Sequence, residues 1–274
     1  MLFLAACGGS SAVDAITIDA RPGCGEEPLA PGVYTGQRVI LGEVARTYTL
    51  AVLEGTPAGA PQPLAFVFHD ALATSTDVRA QLSLENTGAD PMLFVYPDAG
   101  NGGWDVAADA TFWGAILDDL DAKVCVDRSR TFAAGFGAGA TFVNQLACEH
   151  GELVRAIAPV SGEGPTGTVD EGGHVTCATA APEAFVVHGN DDATIPNPVD
   201  GSAGGRASFR HWAYAGQTST DYTYETEAVP PAPCVRALGL AEDHEVFGCF
   251  VDGLAHVAWP TAGGSIRAFF ASRR

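Results

Sequence analysis

Thr131-Phe132-Ala133-Ala134-Gly135-Phe136-Gly137-Ala138-Gly139-Ala140-Thr141-Phe142 decides how the chain is read. Its first four residues suit a strand buried on both faces. From residue 140 to 150 apolar side chains recur at helical spacing, with Phe142, Leu146 and Ala147 facing inward. Glycines stand at positions 135, 137 and 139, between the strand and the helix. A chain that turns so tightly leaves no room for side chains at the flanking positions, and glycine meets that demand. In many strand–G-x-x-x-G–helix turns the central residue is a serine whose hydroxyl is exposed for attack. Here the centre is Gly137, which carries no side chain at all.

Working outward, residues 46–52 alternate and are rich in β-formers, which predicts a strand. The runs 64–68, 92–96, 156–160 and 184–188 are continuously apolar, as strands buried on both faces are. A further strand is expected near 245–251. Helices are predicted over 76–85, 111–122, 206–215 and 265–272, the second of them with Phe112, Ile116 and Leu120 at fourfold spacing. Strands alternating with helices imply an α/β fold with a mostly parallel central sheet and helices on both faces. The chain contains no visible internal repeat.

The 274 residues are 47% hydrophobic, enough for one sizeable core. Asp and Glu number 33 against 14 Lys and Arg, for a formal charge of −19. Such a surface repels phosphate backbones and anionic headgroups, and no basic run offsets it, so no nucleic-acid partner is expected. Met1-Leu2-Phe3-Leu4-Ala5-Ala6-Cys7 is too short to cross a bilayer. It has the form of the end of a bacterial lipoprotein signal, with Leu4-Ala5-Ala6-Cys7 as lipobox and Cys7 as the lipidation site. Residues 8–21 are small, polar and weakly patterned, as a tether would be. The expected organisation is a signal remnant over 1–7, a tether over 8–21 and one folded domain over 22–274. The protein is then exported, held at the cell envelope or secreted, and touches the membrane only through a lipid on Cys7.

Six cysteines remain: Cys24, Cys125, Cys148, Cys177, Cys234 and Cys249. None forms a C-x-x-C pair, so neither a zinc ribbon nor a thioredoxin-like site is indicated, and no metal or cofactor is expected. An even set in an exported protein points to disulfides, and spacing alone leaves the pairing open.

Ligands of open α/β sheets gather beyond the carboxyl ends of the strands. Three segments of chemical interest fall there: the turn at Gly137, His188-Gly189-Asn190-Asp191-Asp192, and Gly253-Leu254-Ala255-His256-Val257-Ala258-Trp259-Pro260. An acid in the second could orient a histidine in the third. Nucleophile turn, acid, then histidine is the chain order of α/β-hydrolases.

With these segments in view, the chain resembles the secreted polyhydroxybutyrate-depolymerase-like esterases, a group that includes feruloyl esterases. The matching stretches are Gly23-Cys24-Gly25, Arg46-Thr47-Tyr48, Val95-Tyr96-Pro97-Asp98, Cys125-Val126-Asp127-Arg128-Ser129-Arg130 and Leu146-Ala147-Cys148. Ala156-Ile157-Ala158-Pro159-Val160-Ser161-Gly162 and the segments holding His188 and His256 continue the match, in order, over roughly residues 22 to 272. The resemblance implies an α/β-hydrolase fold and the disulfides Cys24–Cys125, Cys148–Cys177 and Cys234–Cys249. It assigns Asp192 as the acid, His256 as the general base, and Gly137 to the serine's position. Ala138 would lend a backbone N–H to the oxyanion hole. The second donor would come from the turn at His69-Asp70, where the family has His-Gly.

Three departures follow, the slightest being two residues in place of the family's one between His256 and Trp259. Gly137 removes the nucleophile, and a carboxylate at Asp70 would oppose a developing oxyanion. Thr141, four residues into the helix, and Ser161, at the end of a neighbouring strand, are the candidate substitutes, and neither has the geometry of the elbow. Trp104 and Trp259 could line a cleft for an ester or polymer, or could simply pack. The resemblance thus implies a carboxylic-ester hydrolase that is impaired or inactive. The alternative is a non-catalytic surface lipoprotein that binds a polymer or protein partner through the retained cleft.

Overall fold

Apolar runs that alternate with amphipathic helices have one economical arrangement, and the chain adopts it. The structure is a computed structural model that describes residues 24, 29–57, 59–87, 90–100, 103–217, 224–242 and 244–273. Cys7 and the tether over 8–21 lie outside the described residues.

Ten strands form one sheet. In chain order they are β1 (Gly32–Leu41), β2 (Val44–Val52), β3 (Gln62–Phe68), β4 (Leu93–Pro97), β5 (Val126–Phe136), β6 (Ala156–Val160), β7 (Glu183–Gly189), β8 (Thr226–Ala228), β9 (Cys234–Ala237) and β10 (Val246–Val251). Across the sheet the order is β1-β2-β4-β3-β5-β6-β7-β10-β9-β8. The middle of the sheet, from β4 to β10, is parallel throughout. Both margins are antiparallel, β1 and β2 on one side, β8 and β9 on the other. The sequence reading contained none of β1, β8 and β9. β1 lies on the sheet margin and has mostly exposed or half-buried residues, so no apolar run marks it; β8 and β9 are too short to show a period.

Five helices cover the faces: α1 (Ser75–Leu82), α2 (Val106–Asp121), α3 (Ala138–Glu149), α4 (Gly204–Ala215) and α5 (Ala262–Ser272). α2 begins five residues before the predicted start at 111, because Asp105 caps it by accepting from the Ala108 N–H. One face of the sheet buries Phe66, Phe112, Trp113, Ile116 and Trp212, the other Phe94, Phe132, Ile266 and Phe270. Alternate residues of β3 and β5 feed opposite cores, Phe66 one and Val67 the other, which is why these strands read as unbroken apolar runs.

All three disulfides join the pairs that the resemblance implies: Cys24–Cys125, Cys148–Cys177 and Cys234–Cys249. Two further stretches of the resemblance prove to be one polar knot. The Asp98 carboxylate accepts from Thr47 Oγ1 and from the Ser75 N–H, each at 3.0 Å. Arg46 donates to the Asp98 carbonyl and pairs with Asp109 at 2.8 Å. Together they fix the loop after β4 against β2 and the start of α1. No described helix is long and apolar enough to cross a membrane.

Candidate active site

The turn between β5 and α3 is as tight as its glycines imply. A Cβ on Gly135 would strike the backbone of Gly139, and a Cβ on Gly139 would strike the carbonyls of Phe68 and His69. Gly137 sits at φ 55° and ψ −118°, with its N–H on the Val160 carbonyl. It faces outward from the carboxyl end of β5, beside the loops that follow β3, β7 and β10.

Those loops bring Asp192 and His256 together. His256 Nδ1 donates to Asp192 Oδ2 at 2.7 Å, across 64 residues of sequence. Asp192 is 5% exposed, and its Oδ1 accepts from the N–H groups of Thr194 and Ile195, both at 2.9 Å. Burial pushes its carboxyl group upward. The Ile195 N–H, His256 and the Thr194 N–H outweigh that and hold it below the usual carboxylate range.

A second histidine stands behind this acid. His188, fully buried, lies 3.2 Å from Asp192 Oδ2 through Nε2, which also donates to the Ile195 carbonyl at 2.9 Å. Its Nδ1 accepts from the Gly205 N–H. Burial holds His188 below the usual histidine range, only partly opposed by the Ile195 carbonyl and Asp192. It is therefore a neutral donor that shares the acid with His256. In the sequence this histidine stands out only as part of a segment; its position as the last residue but one of a buried strand was the available signal.

The place of the missing side chain is filled. A Cβ on Gly137 would meet Asp70 Oδ1, Cγ and Oδ2, each closer than 3.0 Å. Asp70 Oδ1 accepts from the Ala138 N–H at 2.7 Å and from the Ala71 N–H at 2.8 Å. Asp70 Oδ2 lies 3.4 Å from His256 Nε2. So the Ala138 N–H, the oxyanion donor that the resemblance implies, is occupied by a carboxylate of the same chain. Two of the departures, seen separately in the sequence, are one arrangement: deleting the central side chain makes the space that Asp70 takes.

The other expectations resolve differently. The His69 ring is engaged locally; its Nδ1 donates to the Asp70 carbonyl at 2.7 Å and its Nε2 accepts from the Ala99 N–H. Trp104, half-buried, donates its N–H to the His69 carbonyl and packs its ring on Phe68, His69 and Phe142. Trp259, half-buried, packs against the second core. Thr141 Oγ1 is engaged with the Gly137 carbonyl and the Glu163 N–H. Ser161 is completely buried at φ 53°. Neither hydroxyl faces His256. Cys148, Cys177 and His211 cluster closely, yet the two sulfurs are joined to each other and offer no thiolate.

A parallel-centred sheet with an elbow after β5, an acid after β7 and a histidine after β10 defines an α/β-hydrolase. The acetyl xylan esterase of Aspergillus awamori superposes with a TM-score of 0.59 at 16% identity, over 88% of this chain and 99% of that one. A ferulic acid esterase from Anaeromyces mucronatus, solved with ferulic acid, gives 0.56 at 13% identity over 91% and 92%. At these identities the likeness is one of fold.

In sequence, the chain is 30% identical over 185 residues to a probable feruloyl esterase C of Aspergillus niger, covering 64% of this chain and 63% of that protein. It is 28% identical over 184 residues to feruloyl esterase C of Emericella nidulans, covering 64% and 63%. The match spans a little under two thirds of these relatives' length. No family model matches the chain. The chain is thus similar in sequence to feruloyl esterases and has the α/β-hydrolase fold of the solved esterases.

Proposed function

We propose that the protein is a carboxylic-ester hydrolase by descent in which acyl transfer to serine has been lost. One observation carries the reading: Asp70 stands where the nucleophile would, with Oδ1 on the Ala138 N–H. Acyl transfer at this elbow needs an uncharged oxygen nucleophile beside the base and an empty pair of donors for the carbonyl oxygen. Gly137 supplies no nucleophile, and Asp70 occupies the donors with negative charge. Asp192 is the acid and His256 the base that the ancestral reaction used. Three disulfides favour an oxidising compartment, which agrees with export and with a lipid on Cys7.

The test is hydrolysis of p-nitrophenyl butyrate and methyl ferulate by the wild type, Gly137→Ser, and Gly137→Ser combined with Asp70→Gly. Acyl transfer should be strong only in the double variant, weak in Gly137→Ser alone, and should vanish from the double variant with His256→Ala. Wild-type turnover at the double variant's rate, lost in His256→Ala, would overturn the reading.

A further inference from the structure

Away from the elbow, the chain between β6 and β7 runs beside α4 and leaves a cavity of about 410 Å³. That volume is in the range of small-molecule sites. Glu163, His174 and Val175 line it from the connecting chain, and Arg210, His211 and Tyr214 line it from α4. Asp70, Gly137, Asp192 and His256 take no part in its walls. The connecting chain is fixed in place. Cys177 is bonded to Cys148 of α3, the Thr166 N–H donates to Gln145 Oε1, and Asp170 Oδ1 accepts from the His174 N–H.

Two charges of opposite sign stand in this cavity without meeting. Glu163 Oε2 accepts from the Gly204 N–H at 2.7 Å, and Oε1 accepts no hydrogen bond among the described residues. Arg210 spends Nη1 on the carbonyls of Asp200 and Gly201, at 2.9 and 3.1 Å. Its Nε and Nη2 edge has no hydrogen-bond partner and no ion pair among the described residues. The neighbouring Asp200 carboxylate accepts instead from the Ser202 N–H. Both charges are carried to one end of α4, since Gly204 is its first residue and Gly201 lies three residues earlier. The helix N-terminus holds the carboxylate and two carbonyls hold the guanidinium, so neither is free to swing to the other. The rest of the lining adds little charge. Burial pushes His211 down to about 4, which leaves it neutral at ordinary pH. The Tyr214 ring meets His174 edge-on at 4.8 Å and has the Arg210 guanidinium 5.8 Å from its centre.

We propose that this cavity binds a small zwitterion, an amino acid with an apolar or aromatic side chain. The ammonium group donates to Glu163 Oε1. The carboxylate accepts two parallel bonds from the Nε and Nη2 edge of Arg210. The side chain lies against Val175 and the Tyr214 ring. A simple anion would meet the Glu163 charge unanswered, and a simple amine would meet that of Arg210. A ligand carrying both signs answers both, which is the basis of its selection.

The site stands apart from the acid–base pair, so its test is independent of ester hydrolysis. Calorimetric titration of the wild type uses leucine, methionine, phenylalanine and tyrosine. The controls are 3-methylbutylamine and 2-phenylethylamine, which lack the carboxylate, and 4-methylpentanoate and 3-phenylpropanoate, which lack the ammonium group. One or more of the amino acids should saturate a single site, with every singly charged analogue at least about tenfold weaker. Glu163→Gln, which keeps an acceptor for the Gly204 N–H, and Arg210→Gln should each weaken that binding about tenfold or more. His256→Ala should leave it unchanged. The proposal is overturned if none of the four amino acids binds folded wild type at about 10 mM. It also fails if a singly charged analogue binds as tightly, if both cavity variants bind like wild type, or if His256→Ala abolishes binding.

Discussion

The two halves of the sheet's parallel centre have changed to different degrees. On the β7 and β10 side, Asp192 is buried, fully hydrogen-bonded and shared by two histidines. On the β3 and β5 side the turn keeps its glycine geometry but exchanges a side chain on one loop for a carboxylate from the next. The acid–histidine side is over-determined, since Asp192 accepts from two backbone N–H groups besides its histidines. The elbow side is determined by backbone shape alone, so what fills its centre can change without disturbing the fold. On the proposed reading, an active site can thus lose its nucleophile while the groups that served it remain intact.

The most direct way to break the comparison is to restore the elbow. Gly137→Ser with Asp70→Gly should raise p-nitrophenyl butyrate hydrolysis about 10⁴-fold over wild type, a magnitude typical of triad function. Gly137→Ser alone should recover under about a tenth of that, because its Cβ meets the Asp70 carboxylate and the oxyanion donors stay occupied. In the restored variant Asp192→Asn should lower kcat about 10³-fold by releasing the His256 tautomer. Unchanged kcat there would mean that the acid–histidine side contributes nothing, and the contrast would fail.

Two stability measurements sharpen it further. Gly139→Ala places a methyl against the Phe68 and His69 carbonyls and should cost about 3 kcal/mol in urea unfolding, whatever residue holds position 137. A pH effect should come from the other side of the fold. His211, beside Cys177, is pushed down to about 4, chiefly by burial and also by His174. Between that value and the ordinary 6.5 the unfolded chain binds the proton and the native one does not, so stability falls as pH drops through this window and levels below it. The share of that loss due to His211 should be about 2 kcal/mol, after allowance for residual exposure, and His211→Gln should remove that share, leaving the contribution of the buried His188.

Much of this was legible in the sequence because the signals are local. The buried strands announce themselves by unbroken apolar runs, and Gly135 and Gly139 by a turn that tolerates nothing larger. Asp192 and His256 were readable as a pair only through their order behind the elbow, since 64 residues separate them. Asp70 was readable as an anomaly and not as an occupant. Its meaning depends on the approach of the β3 and β5 loops, which no spacing along the chain encodes. His188 is similar, for a histidine inside an apolar strand gives no sign of which carboxylate it will meet.

The Cys24–Cys125 bond, finally, decides how the domain would bear load. Tension applied upstream of Cys24 would otherwise enter through β1, a margin strand that can be peeled from β2 one hydrogen-bonded pair at a time. The disulfide diverts that tension to Cys125, directly before β5, the strand flanked by β3 and β6. There the pull meets neighbours on both sides and must shear many bonds together. A chain tethered by its beginning would thus be gripped at its most strongly braced strand, leaving the margin hairpin unstressed.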